Sequence, residues 1–476
     1  MRLKKPSLKP DQLKQGAYQQ QPGDKQYGVD DPGEPTFDEY GMNIHGTKAF
    51  DMNDLPFRGV TSWVTLTLLM ALPLGVAGQK VLRLEDAEYE PQIRTVLLYS
   101  LVPGTQGPQA VTKLEAQQIV LEFDDLVEDR QNYYARLIHC NHDWTKSTLR
   151  DLEILRDYNE FPINDFGYSI NTHIPYVHYR FAVPPVKLPG NYVLVVYRDG
   201  DKNDIMFSRR FIVHQSLMTL IQEENMVGLG NLKSTNQALN FRISYARMEV
   251  LNPASSVHVV IRQNYRWDNA RKDVKASFIR EDLKQLEYRF FDMDHSFSAG
   301  NEFRFVDFRS LNSPGINTER IERSSKPFDL YVTTDGSRQS QAYTQFPDMN
   351  GLFVIENFDY RIEPWLSSNY LYVNFTLRAP KVSSDVFVIG AFNGWQQGEE
   401  NRLTWSNGAY TGRVLLKQGF YNYQYWVPPA SGLPGNHFEG DFFQTENMYE
   451  VLVYYRPFQP NADLLVGYFQ LPVNPR

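Results

Sequence analysis

Asn191-Tyr192-Val193-Leu194-Val195-Val196-Tyr197 is followed by Asp199-Gly200-Asp201-Lys202-Asn203-Asp204 and then by Met206-Phe207-Ser208-Arg209-Arg210-Phe211-Ile212-Val213-His214. Two runs rich in Val, Ile, Tyr and Phe flank a segment of Gly, Asp and Asn, the pattern of two strands joined by a hairpin turn. The pattern extends both ways. Upstream lie Ile93–Leu101, Gln118–Phe123, Tyr133–Cys140 and Tyr176–Val183. Downstream come Leu239–Val250, Ser256–Gln263, Leu286–Phe291, Phe303–Phe308, Phe328–Thr333 and Leu352–Ile355. After Pro364 follow Tyr370–Leu377, Val386–Gly390, Tyr410–Leu416, Phe420–Trp426 and Tyr449–Tyr455. Short strands punctuated by turn residues predict an all-β fold of consecutive sandwiches. One helical interruption is predicted at Ser147–Tyr158, with Ser147 as cap and Leu149, Leu152 and Leu155 at helical spacing.

Composition agrees with that class. The 476 residues are 42% hydrophobic and 14% aromatic, with 29 Tyr and 30 Phe, which suits pleated surfaces. A net charge of −8 argues against a broad nucleic-acid footprint. The single cysteine, Cys140, excludes an internal disulfide framework and zinc sites built from paired cysteines. Its place at the end of an apolar strand predicts burial.

Three immunoglobulin- or early-set-like β-sandwich domains are expected at 79–220, 221–365 and 366–476, with Gln222–Gln237 as a linker or exposed loop. Ahead of them, Arg58, the apolar run Val60–Ala77 and the small residues Val76-Ala77-Gly78 have the layout of a signal peptide over 58–78. An exported protein without a membrane span is expected. Residues 1–57 are a polar extension that cannot bury a core, and a true start near Met52 or within Arg58–Val60 is expected.

His139-Cys140-Asn141-His142-Asp143-Trp144 is the densest cluster of reactive side chains. In a strand, His139 and Asn141 face one side while Cys140 and His142 face the other, so the cluster fails as a metal site by itself. The reading preferred is a strand end running into a turn, with Trp144 in the core. Asp199, Asp201 and Asn203 alternate as calcium ligands do, but an EF-hand needs Gly at the sixth place and Glu at the twelfth, where Asp204 and Arg210 stand. A hairpin turn is expected instead. Asp124 and Asp125 read as a strand edge. No nucleophile elbow or phosphate-binding glycine loop is found, so no catalytic, cofactor or metal residue is assigned.

Val386-Phe387-Val388-Ile389-Gly390-Ala391-Phe392-Asn393-Gly394-Trp395, with Gly419-Phe420-Tyr421-Asn422-Tyr423 further on, resembles the early-set sandwich of starch- and glycogen-binding modules. That resemblance implies sugar stacking on an exposed Trp395. A periplasmic carbohydrate-binding protein acting through its C-terminal domain is thus the alternative function.

A wider resemblance rests on Phe123-Asp124-Asp125-Leu126, Ile138-His139-Cys140-Asn141 with Asp143-Trp144, Gly190-Asn191-Tyr192 and Ser208-Arg209-Arg210-Phe211. It continues through Arg266-Trp267-Asp268-Asn269, Ala299-Gly300-Asn301-Glu302-Phe303-Arg304 and Phe438-Glu439-Gly440-Asp441. Over nearly all of 79–476 the chain resembles the Plug family of the type IX secretion system of Bacteroidota. The resemblance implies a non-enzyme, without cofactor, in the periplasm at the inner face of the outer membrane. It implies docking as a monomer on the giant translocon β-barrel, occluding its periplasmic opening when no cargo complex is bound. Asp143, Trp144, Arg266, Trp267, Gly300, Asn301 and Glu302 are its motif residues here, and each is expected to determine the fold rather than to contact the barrel.

Overall fold

Gly190–Arg198 and Ile205–His214 pair antiparallel across a turn in which Asp199 and Gly200 take φ of 52° and 77°. Positive φ at both central residues gives the mirror-image turn whose twist matches that of the strands it joins. The carboxylates of this loop are engaged locally. Asp201 accepts the Asn203 backbone N–H at 2.9 Å, and Asp204 is held by Arg198 at 2.8 Å and Lys80 at 2.6 Å. The computed structural model describes residues 80–101, 109–223, 233–289, 295–360 and 363–475. The expected polar extension and signal peptide, and residues 224–232 of the expected linker, lie outside them.

Residues 87–214 build two facing sheets. One runs Ala87–Glu88, Ile205–His214, Gly190–Arg198, Tyr133–Cys140, Phe161–Ile163, with Val111–Lys113 parallel to Ile205–His214. The other runs Ile93–Ser100, Ile119–Asp125, Val177–Ala182, Asp165–Tyr168. Phe123, Tyr179, Tyr192, Leu194 and Val196 fill the core between them. Val193 and Val195 are equally buried, facing a second core with Val260, Leu452, Tyr454 and Leu465. The apolar run 192–197 is unbroken because this strand is covered on both faces.

Val260, Leu452 and Leu465 come from a third sheet, Val257–Gln263, Asn447–Tyr455, Leu464–Val473. Its alternate residues Val259, Ile261, Val451 and Val453 share a core with Phe241, Ile243, Leu286 and Tyr288. Those belong to a fourth sheet, Thr219–Gln222, Phe241–Ser244, Gln285–Tyr288, Phe278–Arg280. The four sheets therefore stack in series. The longest sheet runs Arg304–Asp307, Gly419–Trp426, Val386–Ile389, Arg402–Ser406, Ala409–Lys417, Tyr370–Arg378, Asp329–Val332, Thr318–Glu322, around Val306, Leu330, Leu371, Val388 and Tyr423.

The second and third blocks are consequently not serial. Val257–Gln263 pairs with Asn447–Tyr455, and Gly419–Trp426 with Arg304–Asp307 and Phe353–Ile355, across the boundary expected at 365/366. The segment carrying the longest sheet is inserted within the central sandwich. Strand partners this distant leave no local mark in the sequence, since pairing follows burial rather than neighbourhood. The predicted helix shrinks to Asp151–Ile154, with Arg150 rather than Ser147 at its cap. Leu152 is exposed while Ile154 and Leu155 are buried, so the spacing reflects packing of an irregular segment and not an amphipathic helix. Leu464–Val473 is a strand the pattern did not suggest. Gly467 and Pro472 disguise it, and Pro472 is tolerated because, among the described residues, the strand lies at the edge of its sheet.

Cys140 is fully buried, and burial pushes its thiol up to about 12. A thiol reagent should therefore label the native protein far more slowly than the unfolded one. Equal rates would contradict this placement.

One buried charge cluster ties two layers together, and a second lies within the inserted segment. Asp124 points out of Ile119–Asp125 toward the longest sheet. It accepts from Lys417 Nζ at 2.6 Å and Tyr370 Oη at 2.6 Å, and lies 2.8 Å from His178 Nδ1. Within the inserted segment, the Glu439 carboxylate accepts from Arg304 Nε at 3.0 Å, Arg338 Nη2 at 2.6 Å and the Tyr425 backbone N–H at 2.9 Å.

Candidate functional site: an arginine–tryptophan cleft

Arg209 and Arg210 interrupt the apolar strand Ile205–His214, and Arg262 interrupts Val257–Gln263. A charge inside such a strand requires a partner, and each has one. Arg210 clamps Asp86 with Nε at 2.9 Å and Nη2 at 2.7 Å, while its backbone N–H donates to the same carboxylate at 2.7 Å. Burial alone would raise the Asp86 pKa, but Arg210 and Arg209 hold it below its usual value. Arg209 pairs with Glu88. Arg262 pairs with Glu450, its cross-strand neighbour, and both side chains are almost fully buried.

Indole rings lie between these guanidinium groups. Trp144 meets Trp267 edge to face at 4.8 Å. The Arg210 guanidinium sits 5.2 Å from the Trp144 ring and 5.3 Å from Trp267, and that of Arg262 4.2 Å from Trp267. Arg266 is clamped by Asp268 at 3.0 and 2.6 Å and lies 4.1 Å over Trp395 and 5.1 Å from Trp426. Above this stack opens a cleft of about 680 Å³. Its walls come from the first sandwich (Arg209, Arg210), the central sheet (Arg262, Trp267) and the inserted segment (Phe392, Trp395).

The motif residues thus separate into two groups. Trp267 and Trp395 line the cleft with Trp144 and Arg266 packed against them, and Asp143 caps the adjoining turn by accepting the Thr145 backbone N–H at 3.0 Å. Trp395 is half-buried rather than exposed, with Arg266 over its ring and Phe303 against it at 5.6 Å. Gly300, Asn301 and Glu302 lie apart, on the loop facing Phe438–Asp441. Gly300 has φ of 66°, and its N–H donates to Asp441 at 2.8 Å. Asn301 Nδ2 donates to the Glu439 carbonyl at 2.9 Å, and buried Glu302 accepts from the Tyr343 hydroxyl. Two motif stretches distant in sequence therefore close on each other. Gly190 fits because a Cβ there would come within 2.2 Å of the His139 ring. Sequence reasoning quoted Arg209 and Arg210 only as part of the family resemblance, with no role, and missed Arg262, Asp86 and Glu88. The available signal was an arginine in the middle of an apolar strand.

Residues 93–215 match the family described as Type 9 secretion system plug protein 1st domain. The chain carries a plug first domain. The plug first domain spans both sheets of the first sandwich from Ile93 onward and supplies Arg209 and Arg210 to the cleft, with Trp144 packed behind Arg210. It associates the chain with type IX secretion. Beyond it, the crystal structure of a hypothetical protein from Parabacteroides merdae ATCC 43184 is similar over 83% of this chain and 100% of that chain, at 28% identity and a TM-score of 0.75. The architecture thus extends well past the plug first domain. A structure of manganese lipoxygenase of Gaeumannomyces graminis with part of zonadhesin of Komagataella pastoris shares only 8% identity and a TM-score of 0.13 with this chain. No curated protein matches the sequence.

Proposed function

We propose that this chain is a periplasmic plug that docks on the periplasmic opening of the outer-membrane translocon barrel of type IX secretion and occludes it until a cargo complex takes its place. The observation that carries this reading is the plug first domain at 93–215. The stacked sheets support it: a stopper for a wide, water-filled barrel should meet its partner without ordering itself on each encounter. Buried ion pairs across the layers provide that preorganisation. The role inferred is non-catalytic. Among the described residues the cleft lining includes no Ser, Thr, Cys or His, and its Asp86, Glu88 and Asp268 are paired with arginines. The carbohydrate reading required an open face on Trp395, and the Arg266 guanidinium lies over that ring.

Affinity purification from detergent-solubilised outer membranes should recover the translocon barrel. Deleting the chain should admit large antibiotics normally excluded by the outer membrane while secretion continues. The leak should vanish when the barrel is also removed. A deletion strain with unchanged permeability and lost secretion would mean that the chain drives secretion instead of stopping a pore.

A further inference from the structure

His142 lies in the loop after Tyr133–Cys140, His258 on Val257–Gln263, and Asp463 immediately before Leu464–Val473. Local spacing gave His142 no metal-binding partner, but the fold supplies two from remote parts of the chain. One ligand atom from each of His142, His258 and Asp463 falls within 4.8 Å of the others. His142 Nδ1 is 2.7 Å from Asp463 Oδ2, and His258 Nδ1 is 2.7 Å from Asp273 Oδ1. A carboxylate on Nδ1 fixes the ring's orientation and leaves Nε2 with the lone pair, the usual arrangement behind a metal-bound imidazole. Asp463 is fully buried and held as an anion by Arg456, at 2.7 and 2.9 Å, and by the His142 backbone N–H at 2.9 Å.

We propose that His142, His258 and Asp463 form a binding site for a divalent transition metal of the zinc class, joining the plug first domain to the central sheet. Two imidazoles and a carboxylate make the three-ligand set of an open zinc site, with one position left for water. Calcium and magnesium are disfavoured, because they take six or more oxygen ligands. The two rings stack 4.1 Å apart at 7°, so their lone pairs run parallel rather than converge. Binding therefore requires one imidazole to turn. Both side chains keep solvent contact, at 12% and 13% exposure, and a ring can turn toward that side. If Asp463 ligates directly, its contact with His142 Nδ1 opens and the neutral imidazole keeps that proton while Nε2 takes the metal.

The test is titration of the full chain with zinc chloride, followed by calorimetry and thermal melting. One Zn²⁺ per chain and a raised melting temperature are expected. His142→Gln and His258→Gln should each weaken binding by about 100-fold or more, and Asp273→Asn by about 10–100-fold through loss of ring orientation. Circular dichroism establishes that each variant is folded. Cobalt in place of zinc should give the visible absorption of a four-coordinate site in the parent protein and lose it in both histidine variants. Absence of saturable zinc binding by the folded parent would overturn the proposal. So would unchanged binding by a folded His142→Gln/His258→Gln double variant.

Discussion

Replacing Lys417 by methionine should cost about 3–5 kcal/mol of folding stability, the range for removing one partner of a buried ion pair. The Lys417 side chain is fully buried, with Nζ 2.6 Å from Asp124, 2.8 Å from the Trp365 carbonyl and 4.2 Å from the Tyr176 ring. Burial pushes the Lys417 pKa down against the pull of Asp124. Burial would likewise raise that of Asp124, but Lys417 and His178 hold it below its ordinary value. Without the ammonium, the carboxylate keeps a tyrosine hydroxyl and an imidazole in a site closed to water. Neutralising both residues, as Asp124→Leu with Lys417→Met, should recover much of the loss, because no unpaired charge is left behind. Chemical denaturation of the single and double variants measures the coupling. A single variant within about 1 kcal/mol of the parent would mean that Asp124 is not held as an anion by Lys417.

Glu439→Gln should be comparably severe and should also change the acid limb of stability. The two guanidinium groups beside it, Arg304 and Arg338, would lose the one negative charge they share inside the inserted segment. Burial alone would raise the Glu439 pKa, but Arg304 and Arg338 lower it from 4.5 to about 2. A carboxyl depressed on folding contributes stability that is complete above its unfolded value and lost as pH falls through the folded one. The window here runs from about pH 4.5 down to about pH 2, and the 2.5-unit difference corresponds to about 3 kcal/mol. Denaturation midpoints measured across that window should fall more steeply for the parent than for Glu439→Gln. Parallel profiles would remove Glu439 from the account of acid unfolding.

Individual strands were legible because apolar and aromatic runs and turn residues are local properties. Tyr133–Cys140 reads as a strand from its sequence and forms one. Strand partners were not legible. Nothing near Arg262 announces Glu450, its cross-strand neighbour 188 residues away. The indoles Trp144, Trp267 and Trp395 could each be singled out, as could Arg266, but Arg210 and Arg262 pack on them from strands whose apolar pattern gave no hint of that contact. Asp124 looked like a strand edge because its position between Phe123 and Leu126 says nothing of Lys417. Trp395 shows the converse. An aromatic after Asn393-Gly394 suggests exposure until Arg266 arrives from the turn after Val257–Gln263 to cover it.

The insertion of 304–439 within the central sandwich also fixes the order in which the chain can fold. A polypeptide emerging from its N-terminus can complete both sheets of residues 87–214 from local pieces. Val257–Gln263 must wait for Asn447–Tyr455, which arrives almost last. Until then Val259, Val260 and Ile261 have no sheet to join, and the cost of closing so long a loop makes that pairing slow. Truncation before Asn447 should therefore expose a protease-sensitive middle while leaving the first sandwich intact, and a nascent chain of that length would need protection from aggregation.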